Sequence, residues 1–518
     1  MVDLQQQSGY HVSVMNRRQF LEATFGAVAA TACSPAPAPD TDARPNVVSI
    51  SVDDMNDWVG CLQGYPGVQT PNIDALARRG VLFTDAHCSS PICNPSRTSI
   101  MTGKRPSTTG VYDNDQFWRP ALPDVVTMPQ FFHNNGYLAA GAGKIFHHNS
   151  GFNPPDQWDE YRLQQFDDPW YRRPSWYHWT ERMPNPPGHP FNGMASDNFA
   201  GEFDWGALPG RPERTYGDMT AVRFGEDFLR REHHKPFFLA IGLWHPHIPL
   251  FSPQKYFDLY PMEDVKIPEV PADDLDDLPP LAQKFAAVRR SEHERIVKED
   301  KWDDAVQAYL AAISFADEMV GQLLKAIDES AYADNTIIVF WSDHGWHLGE
   351  KLHWHKSTLW ERATHVPMIW SGPGIEHNGQ DRSQLVELID MYPTLAELCG
   401  LEAEGLDGVS LVPQLTDPDA AKRPAVIDYL AGNHAVLTDK WRYIRYNDGT
   451  EELYDRVNDP NDWHNIAGEP AHDELKKELA EWMPKSSAPP VPHRDDYEFD
   501  PESYTYRLLS DAGSSPGG

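Results

Sequence analysis

Short, continuous hydrophobic runs alternate with amphipathic segments along the first two thirds of the chain. NVVSISV at 46–52 and the run TIIVFWS that opens at 336 have the length and β-branched content of buried strands. PNIDALARRG at 71–80 places Pro at its start and Gly at its end, which is typical of a short helix. A much longer helix is expected over 303–327. This alternation predicts an α/β fold around a largely parallel sheet.

Polar side chains follow four of the predicted strands at the point where each strand ends. In chain order they are Asp53 with Asp54, Lys144 with His147, His245 with His247, and Asp343 with His344. In open α/β sheets, ligands bind at the carboxyl edge of the strands. We therefore expect these distant segments to meet in one pocket.

The texture of the sequence changes beyond about residue 420. HAVLTDKWRYIRYNDGTEELYDR, starting at 434, consists of short alternating runs, and ELKKELAEWM at 474–483 follows as a helix. These runs predict a smaller antiparallel sheet. The expected organisation is a leader and Pro-rich linker at 1–44, a main domain at 45–420, and a C-terminal subdomain with its tail at 421–518.

The N-terminal stretch MNRRQFLEATFGAVAATAC at 15–33 has the features of an export signal. Arg17 and Arg18 precede an apolar run that is too short to span a bilayer, which predicts a twin-arginine leader starting at Met15 rather than Met1. The sequence does not decide whether the leader is cleaved after its small residues or whether Cys33 becomes a lipid-modified N-terminus. We expect an exported protein that is periplasmic or extracellular, either free or lipid-anchored at Cys33. No later segment is long enough to cross a membrane.

Charge and cysteine content narrow the function further. The 518 residues carry a net charge of −33, which excludes a general polyanion or nucleic-acid binder, so an anionic substrate must be held by a local basic pocket. The five cysteines are too few for a disulfide scaffold. At most one disulfide is expected among Cys61, Cys88 and Cys399.

The acidic residues at the strand ends also predict a metal site. Asp53, Asp54 and Asp343 offer three hard oxygen ligands, enough for calcium or magnesium. His344 would shift the preference toward zinc or manganese. From the residues alone, the identity of the metal stays open.

Cys93 lies in the unusual stretch SPICNPSRTSIMTGKRPSTTGVYDN at 90–114. A helix beginning at Pro95 would place residue 93 near a helix N-terminus, where an anion is favoured. A thiolate nucleophile fits that position, whereas a structural thiol would not need Arg97, Lys104 and Arg105 nearby. The other interpretations of Cys93 are a buried thiol, one half of a disulfide, and a cysteine that is chemically converted.

The motifs around Cys93 resemble those of a known family. C-N-P-S-R followed by T-G-K-R resembles the signature of type I sulfatases, and GKIFH, HPHIP, SDHGWHLGE and LYDRVNDP occur with it in the order expected across 46–467. RPSTTGVYDN, GKIFH and the D-H pair at 343–344 make the chain most similar to the iduronate-2-sulfatase-like branch.

The resemblance implies a fold, a modification and a metal. The fold would be an alkaline-phosphatase-like sandwich, with the catalytic domain at 45–420. A formylglycine-generating enzyme would convert Cys93 to Cα-formylglycine, whose hydrate is an oxygen nucleophile that can later expel sulfate. Calcium would be held by Asp53, Asp54, Asp343, His344 and residue 93.

The resemblance also implies roles for the remaining site residues. Arg97 would fix the hydrate, and Lys144 would hold both it and the sulfate. His147 would take the proton when the sulfated hydrate collapses, and Asp343 would be the base for the attacking hydroxyl. His247 and Lys356 would bind the sulfate and protonate the leaving oxygen. The remaining two, His245 and Trp346, are expected to line the substrate pocket.

The implied activity is hydrolysis of sulfate esters of carbohydrates. The expected substrate is a 2-O-sulfated uronic acid of a glycosaminoglycan or algal polysaccharide. The alternatives are a choline or aryl sulfatase, a phosphonate or phosphodiester hydrolase of the same superfamily, and an inactive carbohydrate-binding homologue. The aromatic and Arg-rich stretch at 157–179 is either a sugar-binding rim or a packed loop.

Overall fold

The computed structural model describes residues 44–147, 151–162, 190–194, 203–208, 210–375 and 381–510. The predicted leader, Cys33 and most of the stretch at 157–179 lie outside the described residues. Their functions therefore stay predictions.

The described strands form one large sheet and several small ones. In chain order they are β1 (Asn46–Val52), β2 (Val81–His87), β3 (Leu138–Gly143), β4 (Glu160–Arg162), β5 (Trp205–Ala207), β6 (Phe237–Gly242), β7 (Leu250–Ser252), β8 (Thr336–Ser342), β9 (His347–Leu348), β10 (Trp354–His355), β11 (Met368–Ser371), β12 (Arg382–Glu387), β13 (Ala425–Asp428), β14 (His434–Leu437), β15 (Trp441–Arg445), β16 (Glu451–Asp455), β17 (Tyr497–Asp500) and β18 (Thr505–Leu508).

The described part of the large sheet has the strand order β12-β2-β11-β8-β1-β6-β3-β4. β1 pairs in parallel with β8 and β6, and β6 pairs in parallel with β3. β11 is antiparallel to both of its neighbours. The sheet is thus mixed but mostly parallel, and the four central strands β8, β1, β6 and β3 have their carboxyl ends at one edge. The polar pairs predicted to meet follow these four strands.

The described residues also form α-helices, some of which pack on the two faces of this sheet. They are α1 (Pro71–Arg79), α2 (Cys93–Thr102), α3 (Pro106–Thr109), α4 (Trp118–Ala121), α5 (Met128–Asn134), α6 (Asp218–Leu229), α7 (Gln254–Phe257), α8 (Pro280–Ala287), α9 (Arg290–Lys298), α10 (Trp302–Asp328), α11 (Glu361–Thr364), α12 (Met391–Leu398), α13 (Val412–Thr416) and α14 (Asp473–Ala480).

Alternate residues of each central strand point to opposite faces, as strand geometry requires. Val48 and Ile50 belong to a core shared with α1, α6 and α10, whereas Val47 belongs to a second core shared with α2, α5 and α12. Two helical layers therefore bury the sheet between them. The predicted α/β class is confirmed.

A smaller antiparallel sheet lies in the C-terminal part of the described chain. Its strand order is β13-β14-β15-β16, and a separate hairpin pairs β17 with β18. The predicted antiparallel sheet is confirmed, while the domain boundary near residue 420 stays a prediction. The hairpin was not predicted from the sequence.

Two sequence expectations concern cysteines and membranes. Cys61, Cys88 and Cys399 are all free thiols, so none of them forms the single disulfide that the sequence allowed. Across the described ranges, no helix combines the length and apolar character that crossing a bilayer requires.

Buried arginine contacts join the C-terminal sheet to the rest of the protein. Arg442, on β15, is fully buried and donates to the Leu359 carbonyl at 2.7 Å. The same guanidinium pairs with Glu361 and lies 3.2 Å from Asp462. Burial alone would raise the pKa of Glu361, but Arg442 holds it well below its usual range. Arg442 therefore has the largest cationic effect on Glu361, which Arg456 and His365 also stabilise.

Replacing Arg442 tests how strongly this junction stabilises the fold. Arg442→Met removes the charge but keeps much of the side-chain volume, leaving Glu361 and Asp462 without that partner. We expect the free energy of unfolding to fall by about 3–5 kcal/mol, as for other broken buried ion pairs. The control is Lys440→Met beside it, whose exposed pairing with Asp455 should contribute less than about 1 kcal/mol. If urea unfolding shows that both variants lose the same free energy of unfolding, the role of Arg442 at this junction is contradicted.

Candidate active site

Cys93 is the first residue of α2 and is fully buried. The helix begins two residues before the predicted start at Pro95, because the Ser96 amide already donates to the Ile92 carbonyl. The next residue, Asn94, is fixed by the loop at 113–116: its amide donates to Asn114 Oδ1 at 2.9 Å, and its side chain donates to the carbonyls of Asp113 and Gln116. Residue 93 is thus held in a defined place at the helix N-terminus.

Three cationic or potentially cationic groups surround the Cys93 sulfur. Lys356 Nζ lies 3.0 Å from Sγ, His344 Nε2 lies 3.3 Å away and Lys144 Nζ lies 3.8 Å away. Burial by itself would raise the pKa of the thiol, but Lys144, Lys356 and His344 together lower it well below its ordinary value. The pocket therefore stabilises negative charge on the side chain at position 93.

The carboxylates of Asp53, Asp54 and Asp343 come together at the ends of β1 and β8, and all three are fully buried. Asp54 has a φ of 64°, a left-handed conformation that Asp tolerates better than most residues. This turn lets the Asp54 amide donate to Asp343 Oδ1 at 3.1 Å. The adjacent carboxylates follow directly from the parallel pairing of the two strands.

Each of these carboxylates pairs with a cation that is buried or nearly so. Lys144 pairs with Asp53, and Lys356 Nζ lies 2.5 Å from Asp54 Oδ1. Lys144 also lies 4.1 Å from the centre of the Trp244 ring. Burial would raise the pKa of Asp53, but Lys144 outweighs it and holds that pKa below its usual range.

Arg97 is fully buried, and all three of its guanidinium nitrogens donate hydrogen bonds. Nε donates to Asp343 at 2.8 Å and Nη2 donates to Asp53 at 3.2 Å. Nη1 donates to the carbonyls of Lys144 and Ile145 at 2.6 and 3.1 Å. Arg97 therefore joins the ends of β1, β3 and β8. Its predicted contact with the modified residue 93 stays a prediction.

The cluster also has the donors and geometry of a metal site. Two overlapping groups, Asp53–Asp54–Cys93–His247 and Asp53–Cys93–Asp343–His344, bring ligand atoms within 4.8 Å of one another. His344 Nδ1 donates to the Gly345 carbonyl at 3.0 Å, which leaves Nε2 facing the cluster. Asp54 Oδ2 is buried and has no hydrogen-bond partner in the described part of the chain. A divalent cation would satisfy that oxygen, so these residues fit the predicted metal.

Burial and neighbouring charges shift the pKa values of Asp343 and His344. Burial and the neighbouring Asp53 together raise the pKa of Asp343 to about 7 against the opposing effect of Arg97. Burial would lower the pKa of His344, but Asp343 raises it to about 9.

The two predicted catalytic histidines lie in different environments. His147 is buried, which lowers its pKa to about 4, and it hydrogen-bonds the Cys93 side chain. A neutral imidazole at this place can accept a proton from residue 93. The His247 side chain is 18% exposed, with Nε2 3.7 Å from Asp54 Oδ2 and Nδ1 donating to the Ile248 carbonyl. His247 therefore lies on the more open side of the pocket.

His245 and Trp346, the predicted substrate-binding residues, differ in their contacts. Both ring nitrogens of His245 are engaged by the protein: Nδ1 by Asp218 at 2.5 Å and Nε2 by the Phe251 carbonyl at 2.9 Å. These bonds orient the loop that carries His247. Trp346 lies 5.5 Å from Lys356 Nζ, beside the reactive centre. Substrate contact by either residue stays a prediction.

The sequence did not identify the residues that position the site. In addition, two basic residues that are near Cys93 in the sequence bind elsewhere in the fold. Lys104 donates to the Gly405 carbonyl, and Arg105 forms a bidentate pair with Glu387 at 2.6 and 2.8 Å. Both therefore bind other segments, so their closeness to Cys93 in the sequence is not evidence for the role of its thiol. Asp218 and Asn114 carried no sequence signal, because their partners are distant in the chain or in irregular loops.

Comparison with known proteins supports a common family for this arrangement. The family model described as Sulfatase matches residues 45–401, and the model described as N-sulphoglucosamine sulphohydrolase, C-terminal, matches 349–488. A sulfatase of Formosa agariphila is 39% identical over 86% of this chain and 87% of its own length. Human iduronate 2-sulfatase is 34% identical over 70% of each chain.

The fold is also found among solved structures. A structure described as a 2-O GAG sulfatase has a TM-score of 0.62 and 21% sequence identity, covering 84% of this chain and 90% of that one. This likeness confirms the predicted alkaline-phosphatase-like architecture.

Metal titration tests the ligand cluster. We expect the metal-stripped protein to bind Ca²⁺ in isothermal titration calorimetry. Asp54→Asn should weaken that binding roughly 100-fold, since even changes outside the ligand shell cost about 10–100-fold. His147→Ala, in the same pocket but outside both ligand groups, is the matched control and should keep the wild-type affinity. Equal weakening by both substitutions would exclude the proposed ligand set.

Proposed function

The chain belongs to the sulfatase family, whose activity is hydrolysis of sulfate esters, and we propose that it desulfates carbohydrates through a formylglycine at position 93. The observation that carries this proposal is the environment of the Cys93 sulfur. It is buried at a helix N-terminus, with Lys356, His344 and Lys144 within 3.8 Å. Such a place stabilises both an anionic nucleophile and a bound sulfate.

In the proposed enzyme, the Cys93 sulfur marks the position that the oxygens of a hydrated formylglycine would take. One hydroxyl of the hydrate attacks the sulfate sulfur, and Asp343 accepts its proton. The bond from sulfur to the sugar oxygen breaks at the same time. The leaving oxygen receives a proton from His247 or Lys356, the two members of the site whose side chains are partly exposed.

Release of sulfate depends on the second hydroxyl of the hydrate. His147 takes the proton from that hydroxyl, the carbon–oxygen double bond re-forms, and the bond to the sulfate oxygen breaks. Water then adds to the aldehyde and restores the hydrate. The low pKa of His147, about 4, keeps its ring neutral and able to accept this proton at neutral pH.

The proposed metal is calcium, which would be held by Asp53, Asp54, Asp343, His344 and residue 93. When bound, it supplies positive charge that polarises the sulfate and offsets the carboxylates. The lysines already oriented toward Asp53 and Asp54 provide further positive charge for the sulfate.

The proposed substrate is a 2-O-sulfated uronic acid of a glycosaminoglycan or algal polysaccharide. Support comes from the relative named iduronate 2-sulfatase, which is 34% identical over 70% of this chain. The net charge of −33 repels a sulfated polymer at long range, so recognition must come from close contacts at the pocket. Export through a twin-arginine leader remains part of this proposal.

Peptide mass spectrometry tests the proposed nucleophile. Active protein should carry an aldehyde in place of the Cys93 thiol, and Cys93→Ala should fold but turn nothing over. Cys93→Ser is the informative control, because a serine sulfate ester has no second hydroxyl with which to expel the sulfate. We expect that variant to release at most one desulfated product per enzyme molecule. Full activity with an intact thiol would overturn the mechanism.

A substrate panel tests the proposed specificity. It compares a 2-O-sulfated uronate oligosaccharide, a 6-O-sulfated hexosamine oligosaccharide, choline sulfate, an aryl sulfate and an aryl phosphonate monoester. We expect kcat/KM to be highest for the uronate. Preference for choline sulfate or aryl sulfate would refute the substrate but keep the sulfatase assignment. Preference for the phosphonate would refute both.

A further inference from the structure

The C-terminal hairpin β17–β18 binds the segment that follows His147 in the chain. Tyr506 Oη donates to the Gly151 carbonyl at 2.7 Å, and the Asn153 amide donates to Tyr504 Oη at 2.8 Å. The hydroxyl of Tyr506, on β18, and that of Tyr504, in the hairpin turn, therefore bind the residues on either side of Phe152. These contacts link positions more than 350 residues apart in the sequence.

The same segment rests on aromatic side chains. Phe117 lies 5.0 Å from the Phe152 ring and 5.2 Å from the Tyr506 ring, measured between centroids. Gly151 has a φ of 76°, and a Cβ atom there would lie 2.3 Å from the Phe117 ring, so only glycine fits. Trp118 Nε1 donates to the Phe152 carbonyl at 2.7 Å. Backbone groups of three consecutive residues are therefore fixed by side chains.

His147 is connected to this clamped segment through direct ring contact. The rings of His147 and Phe152 meet edge to face with 5.3 Å between centroids, and Phe146, the neighbour of His147, stacks on Trp118 at 5.3 Å. His147 also hydrogen-bonds the Cys93 side chain. The imidazole therefore contacts both the residue it serves and the ring that the hairpin holds.

The segment at 488–491, which precedes the hairpin, binds the loop that holds the residue next to Cys93. The amides of Ala488 and Val491 donate to the carbonyls of Ser107 and Gly110 at 2.7 and 3.0 Å. Gln116 Nε2 donates to the Val491 carbonyl at 2.6 Å. Gln116 belongs to the loop that fixes Asn94, the residue next to Cys93. One C-terminal segment thus supports both partners of the proton transfer.

We propose that the hairpin Tyr497–Leu508 positions His147, with Tyr504 and Tyr506 as positioning residues for the step that releases sulfate. This inference rests on the role of His147 in the proposed function. The tyrosine hydroxyls touch neither residue 93 nor the substrate pocket in the contacts described. They act by fixing the backbone of 151–153, which sets the place of Phe152 and thereby of the imidazole.

The test is the double variant Tyr504→Phe/Tyr506→Phe, which removes two hydroxyls and keeps both rings. We expect kcat to fall about tenfold, a scale typical of small misplacements of a catalytic group. KM should fall by the same factor, because kcat/KM reports the earlier sulfation step, which does not use His147. Acid-quenched protein, taken during turnover of the 2-O-sulfated uronate oligosaccharide, should then show by intact mass a larger fraction carrying a sulfo group.

Two controls separate positioning from a general loss of structure. Arg507→Gln breaks the exposed Arg507–Glu498 pair on the same hairpin and should leave kcat and the sulfated fraction unchanged. In a His147→Ala background, the two tyrosine substitutions should have no further effect on release. An equal additional effect in that background, or a fall in kcat/KM matching that in kcat, would overturn the inference.

Other outcomes are equally decisive. If the double variant fails to fold in a thermal-unfolding assay, Tyr506→Phe alone carries the same expectation for kcat, KM and the sulfated fraction. Wild-type kinetics in a folded hairpin variant would refute the role of the hairpin while leaving the sulfatase mechanism intact. A wild-type enzyme without activity or any sulfated intermediate would instead refute the proposed function itself.

Discussion

The burial of three carboxylates at one sheet edge is the constraint on which the rest of the site depends. Unpaired buried charges are costly, and breaking one buried pair typically costs about 3–5 kcal/mol. Asp53, Asp54 and Asp343 are accordingly matched by Arg97, Lys144 and Lys356. Because those cations come from α2, from the end of β3 and from the loop after β10, the charge balance dictates how these three segments meet the ends of β1 and β8. The fold is thus closed around the same groups that perform the proposed chemistry.

The sequence predicted the parts of this arrangement that depend on local pattern. Continuous hydrophobic runs identified the buried strands β1 and β8, and the polar residues directly after them followed from the strand ends. The proposed metal ligands follow from these strand ends, and the proposed role of Cys93 follows from the family resemblance. The position of His344 beside Asp54 then required only that β1 and β8 be parallel neighbours.

What the sequence could not predict are contacts between irregular segments. Asn114 orienting Asn94 and Asp218 orienting His245 involve single polar residues without periodicity, so nothing in the local pattern indicates them. Lys104 and Arg105 looked like site residues because they are near Cys93 in sequence, yet the turn after α2 directs them toward Gly405 and Glu387. Tyr504 and Tyr506 find their partners only in the folded chain, across more than 350 residues.

The wrapping of residues 488–508 around the loop at 107–116 and the segment at 151–153 has a consequence for biosynthesis. A ribosome completes the chain from the N-terminus, so Cys93 and His147 leave the exit tunnel long before the hairpin that fixes their surroundings. Until residues 488–508 have been synthesised, the stretch around Cys93 lacks these contacts and would be open to the proposed modifying enzyme. In the folded protein, residue 93 is fully buried. The order of synthesis would therefore allow the proposed conversion of residue 93 to come before the protein closes around it.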